Sequence, residues 1–95
     1  MSKVQTPNGL DQIQRLVAQI EINATEMAVF RERYNLTMTK AHCAHNESDA
    51  AHYQKCAEEH LEDFKAYSEE VRKHRRELER VLLRLQLQLA NNATI

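Results

Sequence analysis

The chain has 95 residues, of which 13 are Lys or Arg and 14 are Asp or Glu, and its formal net charge is −1. This length allows one small domain, and the near-neutral charge does not favour a nucleic-acid-binding protein. One glycine, one proline and no tryptophan argue against a sheet-rich fold, which needs turn residues at regular intervals. No run of about 18 uncharged apolar residues occurs, so we expect no membrane span. Residues 1–9 lack the apolar core of a secretory signal, which favours a cytoplasmic location.

The first predicted elements are a flexible arm over residues 1–9 and a helix over residues 10–44. Pro7 and Gly9 disfavour a helix within the arm, and Asp11 suits the positive end of the helix that follows. Apolar residues of this helix recur at alternating three- and four-residue steps, the spacing of a coiled-coil seam, with Arg31 as an interruption. The predicted seam consists of Leu10, Ile13, Val17, Ile20, Ala24, Met27, Tyr34, Met38 and Ala41.

A turn over residues 45–48 is predicted to separate this helix from a second one. Asn46 and Ser48 are both favourable N-cap residues, and Asp49 suits a first helical turn. A reversal at this point would produce a helical hairpin. Because neither glycine nor proline marks the turn, the alternative is one continuous helix that pairs as a rod with a second chain.

The second helix is predicted over residues 49–90, followed by a frayed tail over residues 91–95. Its apolar residues also follow a heptad repeat, with Leu61, Leu82 and Leu89 beside the main row. That row consists of Ala57, Phe64, Val71, Leu78 and Leu85. The predicted fold class is therefore all-α, a long antiparallel two-helix hairpin or coiled coil. Because a hairpin of this size buries little surface, we expect a partner or a second copy to complete a helical bundle.

The last turns of the second helix are the predicted partner-binding region. By length, this helix should extend past the start of the first one. Its leucines surround the helix instead of forming one stripe, and exposed apolar patches of this kind usually mark association sites. The predicted partner-binding residues are Phe64, Val71, Leu78, Leu82, Leu83, Leu85, Leu87 and Leu89. Partners would be proteins bound through helical packing, in a homo- or hetero-oligomer.

Charge is divided unevenly along the second helix. Residues 49–70 contain seven acids and two lysines, whereas residues 71–90 contain six Lys or Arg and two Glu. An antiparallel copy would place unlike charges opposite each other, although a solvated charged face is the alternative. The basic segment 72–84 also suggests an alternative function, a nuclear factor associated with nucleic acid or chromatin. No aromatic residues interleave with these cations for base stacking, which makes nucleic acid an unfavoured partner.

Cysteine and histidine residues cluster around the predicted turn. Cys43, His45, His52 and Cys56 are the candidate ligands of a zinc site, but their spacing matches no standard zinc motif. A disulfide between Cys43 and Cys56 is a further alternative, which would need an oxidising compartment. The favoured interpretation is an ordinary polar loop, with no metal and no cofactor. Elsewhere, His60 and His74 are expected at the edge of the second heptad row.

The sequence contains no motif typical of an enzyme. A nucleophile elbow, a phosphate-binding glycine loop and an HExxH motif are all missing. Glu58, Glu59, Glu62 and Asp63 are expected on an open helix without the pocket that a catalytic carboxylate needs. We therefore expect a non-enzymatic scaffold or adaptor subunit of a multiprotein complex.

One segment of the second helix resembles a known family. Phe64, followed by Arg75-Arg76-Glu77-Leu78-Glu79 and Val81, is similar to the C-terminal coiled coil of the KxDL family, small subunits of lysosome-positioning complexes. Arg75 and Glu77 stand where the family motif has Lys and Asp. The resemblance implies a role in organelle positioning or trafficking.

Overall fold

A computed structural model describes residues 9–93, which form an antiparallel helical hairpin. Helix α1 comprises Leu10–His42 and helix α2 comprises Glu47–Ala93. The hairpin measures 74 × 32 × 13 Å, and the described residues contain no strand. The all-α hairpin fold is thereby confirmed, and the chain does not form the alternative continuous rod.

The connection between the helices has the predicted length of four residues but lies two residues earlier in the chain than the sequence suggests. Helix α1 ends at His42, whereas helix α2 begins at Glu47, two residues before its predicted start. Helix α2 also includes residues 91–93, which the sequence analysis placed in a frayed tail. Residues 1–8 of the predicted arm and the last two residues of the predicted tail lie outside the described residues.

Asn46 is the N-cap residue of helix α2. Its side-chain Oδ1 accepts a hydrogen bond of 2.8 Å from the backbone N–H of Asp49. The Asn46 amide nitrogen in turn donates to Oδ2 of Asp49 at 3.3 Å. These bonds satisfy one of the free N–H groups of the first turn and place a carboxylate near the positive end of the helix.

Replacing Asn46 by Ala is expected to lower the free energy of unfolding by about 1 kcal/mol, because the Asp49 N–H loses its acceptor. For a domain of this size the melting temperature should fall by about 4–8 °C. Thermal unfolding followed by circular dichroism measures the change. Ser48→Ala is the control, since the exposed Ser48 does not cap the helix. Equal melting temperatures for both variants would contradict the assigned cap.

The seam of helix α1 differs from the prediction in one of its two rows. The first row is the predicted one and faces helix α2: Ile13, Ile20, Met27, Tyr34 and Ala41. The second row is displaced by one residue, so the predicted Leu10, Val17 and Ala24 are exposed, as is Arg31. The row that packs in its place consists of Leu16, Asn23, Phe30 and Thr37.

Side-chain size and charge explain this displacement. Both candidate rows alternate by three and four residues with the shared row, so periodicity does not distinguish them. The observed row buries Leu16 and half-buries Phe30, whereas the predicted row would bury the cation of Arg31, which is costly without a partner. The observed row does bury Asn23, but the Asn23 amide donates to the Gln19 carbonyl at 2.9 Å and so remains satisfied.

Helix α2 contributes the predicted apolar row and a second row that is mainly aromatic. In the first row, Ala57 and Val71 are buried, and Phe64, Leu78 and Leu85 are half-buried. Where the sequence analysis placed Leu61, Leu82 and Leu89 beside this row, the second row that faces helix α1 consists of Tyr53, His60, Tyr67, His74 and Val81. His60 and His74 thus lie within the seam and not at its edge.

An aromatic cluster joins the two helices near the middle of the hairpin. The Phe30 ring stacks on Tyr67 with centroids 5.7 Å apart and planes inclined by 14°. On its other side lies His60, at 6.2 Å between centroids. The guanidinium of Arg33 lies 5.0 Å from the centre of the same Phe30 ring. Such contacts add to the apolar burial that holds the helices together.

Candidate helix-binding surface

The two long sides of the hairpin seam differ in chemistry. On one side, which we call the polar flank, nearly every side chain beside the seam is polar or charged. The Gln12 amide on helix α1 donates to the Glu77 carboxylate on helix α2 at 3.3 Å across this flank. Its rows are Gln12, Gln19, Glu26, Arg33 and Lys40 of helix α1 and Cys56, Asp63, Glu70, Glu77 and Arg84 of helix α2.

The opposite side, which we call the apolar flank, carries mostly apolar or small side chains. Its rows are Leu10, Val17, Ala24, Arg31 and Met38 of helix α1 and Gln54, Leu61, Ser68, Arg75, Leu82 and Leu89 of helix α2. The rows contain five leucine or valine residues, none of which is buried in the core. Leu61 is half-buried, and the other four are exposed: Leu10, Val17, Leu82 and Leu89. The antiparallel arrangement brings both rows to the same side, so a partner could contact both helices at once.

Hollows on the apolar flank expose the seam from the side. One of about 420 Å³ is lined by Ala24, Met27 and Phe64 and also by the charged Arg31 and Glu32. Another of about 380 Å³ is lined by Ala24, Met27, Ser68 and Val71 and also by the charged Arg72, Arg75, Arg76 and Glu79. A third of about 220 Å³ is formed by Arg31, Tyr34, Asn35, Leu61 and Phe64. Because Ala24 and Ser68 are small, the hollows that they line leave room for apolar side chains of another helix.

The predicted partner-binding residues divide into two groups in the structure. Val71 is buried against helix α1, and Phe64, Leu78 and Leu85 are half-buried, so these four side chains contribute to the hairpin itself. The other four, which we call the leucine cluster, remain exposed by 43–65%. The leucine cluster consists of Leu82, Leu83, Leu87 and Leu89.

Helix α2 extends past the start of helix α1, as its length predicts, since helix α2 has 47 residues and helix α1 has 33. The start of helix α1 lies beside helix α2 at residues 81–88, where Gly9 and Gln12 share a hollow with Val81 and Leu85. Leu89 and the residues after it therefore lie beyond the start of helix α1, whereas Leu83 and Leu87 are exposed for a further reason. Each follows a seam residue, Val81 or Leu85, by two positions, which places its side chain on the side of helix α2 that faces away from helix α1.

The apolar flank was not predicted from the sequence, although most of its apolar residues belong to the predicted heptad pattern. The predicted seam included Val17, Ala24 and Met38, which left helix α1 with no apolar row on the side, although Leu61, Leu82 and Leu89 of helix α2 were placed beside the main row. The signal that could have revealed the flank is the presence of three apolar rows on helix α1 where a two-helix seam needs only two. Three apolar rows indicate a helix with neighbours on two sides.

Much of the basic segment of helix α2 is paired with carboxylates of the same helix. Arg72 contacts Glu69 and Lys73 lies 3.5 Å from Glu70. Arg80 lies 3.7 Å from Glu77. These exposed pairs contribute little to stability. They do, however, lower the positive charge that segment 72–84 presents, which weakens the case for binding nucleic acid through it.

The candidate zinc ligands do not converge in the structure. Among residues 9–93, no group of three or more His, Cys, Asp or Glu side chains is arranged to hold a metal ion. Cys43 and Cys56 are free thiols, and Cys43 is exposed at the turn. Cys56 Sγ lies 3.8 Å from Nε2 of His52 on the same helix. Neither the zinc site nor the disulfide is formed by this arrangement.

Neither of the two helices described is long and apolar enough to cross a lipid bilayer. No known protein family, characterised protein or solved structure is detectably similar to this chain. The resemblance of segment 64–81 to the KxDL family therefore gains no support from a family-level match.

Proposed function

We propose that this chain is a small non-enzymatic coiled-coil subunit, a scaffold or adaptor in a cytoplasmic multiprotein complex. It would act by packing its helices against those of other proteins, without covalent chemistry. The observation that supports this proposal best is the leucine cluster, four leucines exposed by 43–65% at one end of helix α2.

Energetics favour covering the leucine cluster. Complete burial of a leucine side chain is worth about 1.5–3 kcal/mol, so four partly exposed leucines represent a substantial unrealised gain. Small soluble proteins seldom expose a contiguous apolar patch larger than about 300–600 Å² unless it is a binding site. The polar flank shows that this chain does place hydrophilic residues where no neighbour is needed.

The free cysteines support the cytoplasmic part of the proposal. Cys43 and Cys56 are unpaired, which suits a compartment that keeps thiols reduced. Enzyme activity gains no support from the carboxylates Glu58, Glu59, Glu62 and Asp63, which are all exposed on helix α2.

Replacing Leu83 and Leu87 together by Asp is expected to abolish partner binding while leaving the hairpin intact. Both side chains point away from helix α1, so the change affects a partner and not the core. We expect at least about a 100-fold loss of affinity, as two buried leucines would be exchanged for charges. The measurement is affinity purification from the native cell, followed by calorimetric titration of the purified partner and comparison of helicity by circular dichroism.

The control variant is Leu36→Asp, which changes an equally exposed leucine near the turn. It should retain full affinity, because Leu36 lies far from the leucine cluster. Recovery of no specific protein, or an equal loss of affinity in the control, would refute the proposal.

A further inference from the structure

We infer that the apolar flank binds an acidic amphipathic helix of another protein. The inference depends on the proposed helix-packing function and specifies a partner for a second surface, separate from the outward-facing Leu83 and Leu87. It follows from the charges that interrupt the apolar flank, from its hollows and from the poor fit of a second copy.

Two arginines are the only charged residues in the rows of the apolar flank. Arg31 lies in the row of helix α1 and Arg75 in the row of helix α2. Neither has a carboxylate within 4 Å among residues 9–93, whereas the neighbouring Arg72 is paired with Glu69. The hollows of the flank are also lined by Glu32, Arg72, Arg76 and Glu79. Arginines therefore outnumber carboxylates by four to two around the hollows, an arrangement that favours a ligand with negative charges.

The spacing of the two arginines sets the spacing of the charges on the ligand. Arg31 shares a hollow with Leu61 and Phe64, which places it opposite that part of helix α2. Arg75 lies eleven residues after Phe64, or about 16 Å along the helix axis. Eleven residues make about three helical turns, so carboxylates at positions i and i+11 of a bound helix would lie on one face. Such a helix could place one carboxylate at each arginine.

The hollows between the arginines define the remainder of the ligand. The two hollows beside Ala24 have floors formed by Met27, Phe64 and Val71, and apolar side chains of a third helix would enter them. At i+4 and i+7, such side chains share a face with the carboxylates. The bound segment would thus combine two acids with central apolar residues, and the complex would be a three-helix bundle.

A second copy of this chain fits the apolar flank less well. Placing two flanks against each other would bring Arg31 and Arg75 of both copies into one interface, and the rows themselves offer no carboxylate. Four unpaired cations would then be desolvated together, which is unfavourable. The charge division along helix α2 does not correct this, since none of its acids lies in the flank rows and only Glu79 lines one of the hollows of the flank.

The test uses the full chain and a synthetic, fluorescein-labelled helical peptide of about 20 residues with Glu at i and i+11 and Leu at i+4 and i+7. A matched peptide has Lys in place of both Glu. Fluorescence anisotropy at low salt measures both affinities. We expect the Glu peptide to bind at least about 10-fold more tightly than the Lys peptide.

Reversing the charge of both Arg31 and Arg75 provides the decisive comparison. In the double variant R31E/R75E the preference should invert, with the Lys peptide binding more tightly than the Glu peptide. Arg15→Glu combined with Lys55→Glu is the control, since both residues are exposed and neither is on the apolar flank, and the preference of this variant should stay with the Glu peptide. Helicity of each variant is verified by circular dichroism.

Three results would overturn the inference. These are equal affinity for the two peptides, no binding of either up to about 1 mM, and unchanged preference in R31E/R75E. Sedimentation of the chain as a dimer that excludes the Glu peptide would assign the flank to a second copy instead. None of these results affects binding through Leu83 and Leu87, so the inference and the proposed function fail separately.

Discussion

Substitution of Val71 by Asp is expected to produce the largest loss of stability of any single change considered. Val71 is 6% exposed and packs in the seam of helix α2. The variant forfeits the apolar burial of the valine and places a carboxylate where water is excluded, at a combined cost of about 3 kcal/mol. The melting temperature should fall by more than about 12 °C, or the cooperative transition should disappear. Thermal and urea unfolding at one fixed protein concentration measure the effect.

Val29→Asp is the matched control for this prediction. It makes the same exchange at a valine that is 37% exposed on helix α1, and we expect a change within about 0.5 kcal/mol. If Val71→Asp melted like the unmodified chain, Val71 would not be part of a packed seam. The arrangement of helix α2 against helix α1 would then be wrong.

Truncation of Phe30 to Ala is expected to cost about 2 kcal/mol of unfolding free energy. Phe30 is only half-buried, which places the cost below that of a fully enclosed phenylalanine. The loss arises because its ring contacts both His60 and Tyr67 of helix α2. Urea unfolding followed by circular dichroism measures the difference, and the dependence of the unfolding free energy on urea concentration should be the same for both proteins.

Phe30→Leu separates ring stacking from simple apolar burial. Leucine retains most of the buried area but lacks the aromatic contacts, which are worth about 0.5–1.5 kcal/mol. We therefore expect Phe30→Leu to fall between the unmodified chain and Phe30→Ala. A Phe30→Ala variant as stable as the unmodified chain would mean that the predicted row through Val17 and Ala24 forms the seam after all.

The sequence predicted the hairpin because the spacing of its apolar residues determines where each long helix lies and that it has an apolar side to bury. Apolar residues in two long stretches, separated by a favourable N-cap, specify two helices that must bury a shared side. The shared row from Ile13 to Ala41 and the row from Ala57 to Leu85 were both read correctly. The observed turn lies two residues before the predicted one. Asn and Ser are similarly favourable N-cap residues, so the sequence does not distinguish Asn46 from Ser48, whereas the hydrogen bond from the Asp49 N–H to Asn46 does.

The sequence did not predict which second row enters the seam. Leu16, Asn23 and Phe30 follow the same three-and-four spacing as Val17, Ala24 and Arg31. The choice depends on contacts with the opposite helix, above all the position of Tyr67 beside Phe30. The apolar flank was missed for the same reason, because a residue assigned to the seam is not available to a lateral surface.

The alternation of tyrosine and histidine along helix α2 leaves the hairpin with a nearly degenerate alignment. Tyr53, His60, Tyr67 and His74 recur every seven residues, so a Phe30 ring displaced by one heptad would again lie between a tyrosine and a histidine. The aromatic contacts therefore determine which sides of the helices meet but discriminate poorly between neighbouring alignments. The four-residue linker from Cys43 to Asn46 supplies the missing discrimination, because a displaced alignment would require a connection several residues longer or shorter. The length of the linker thus determines the alignment of helix α2 along helix α1.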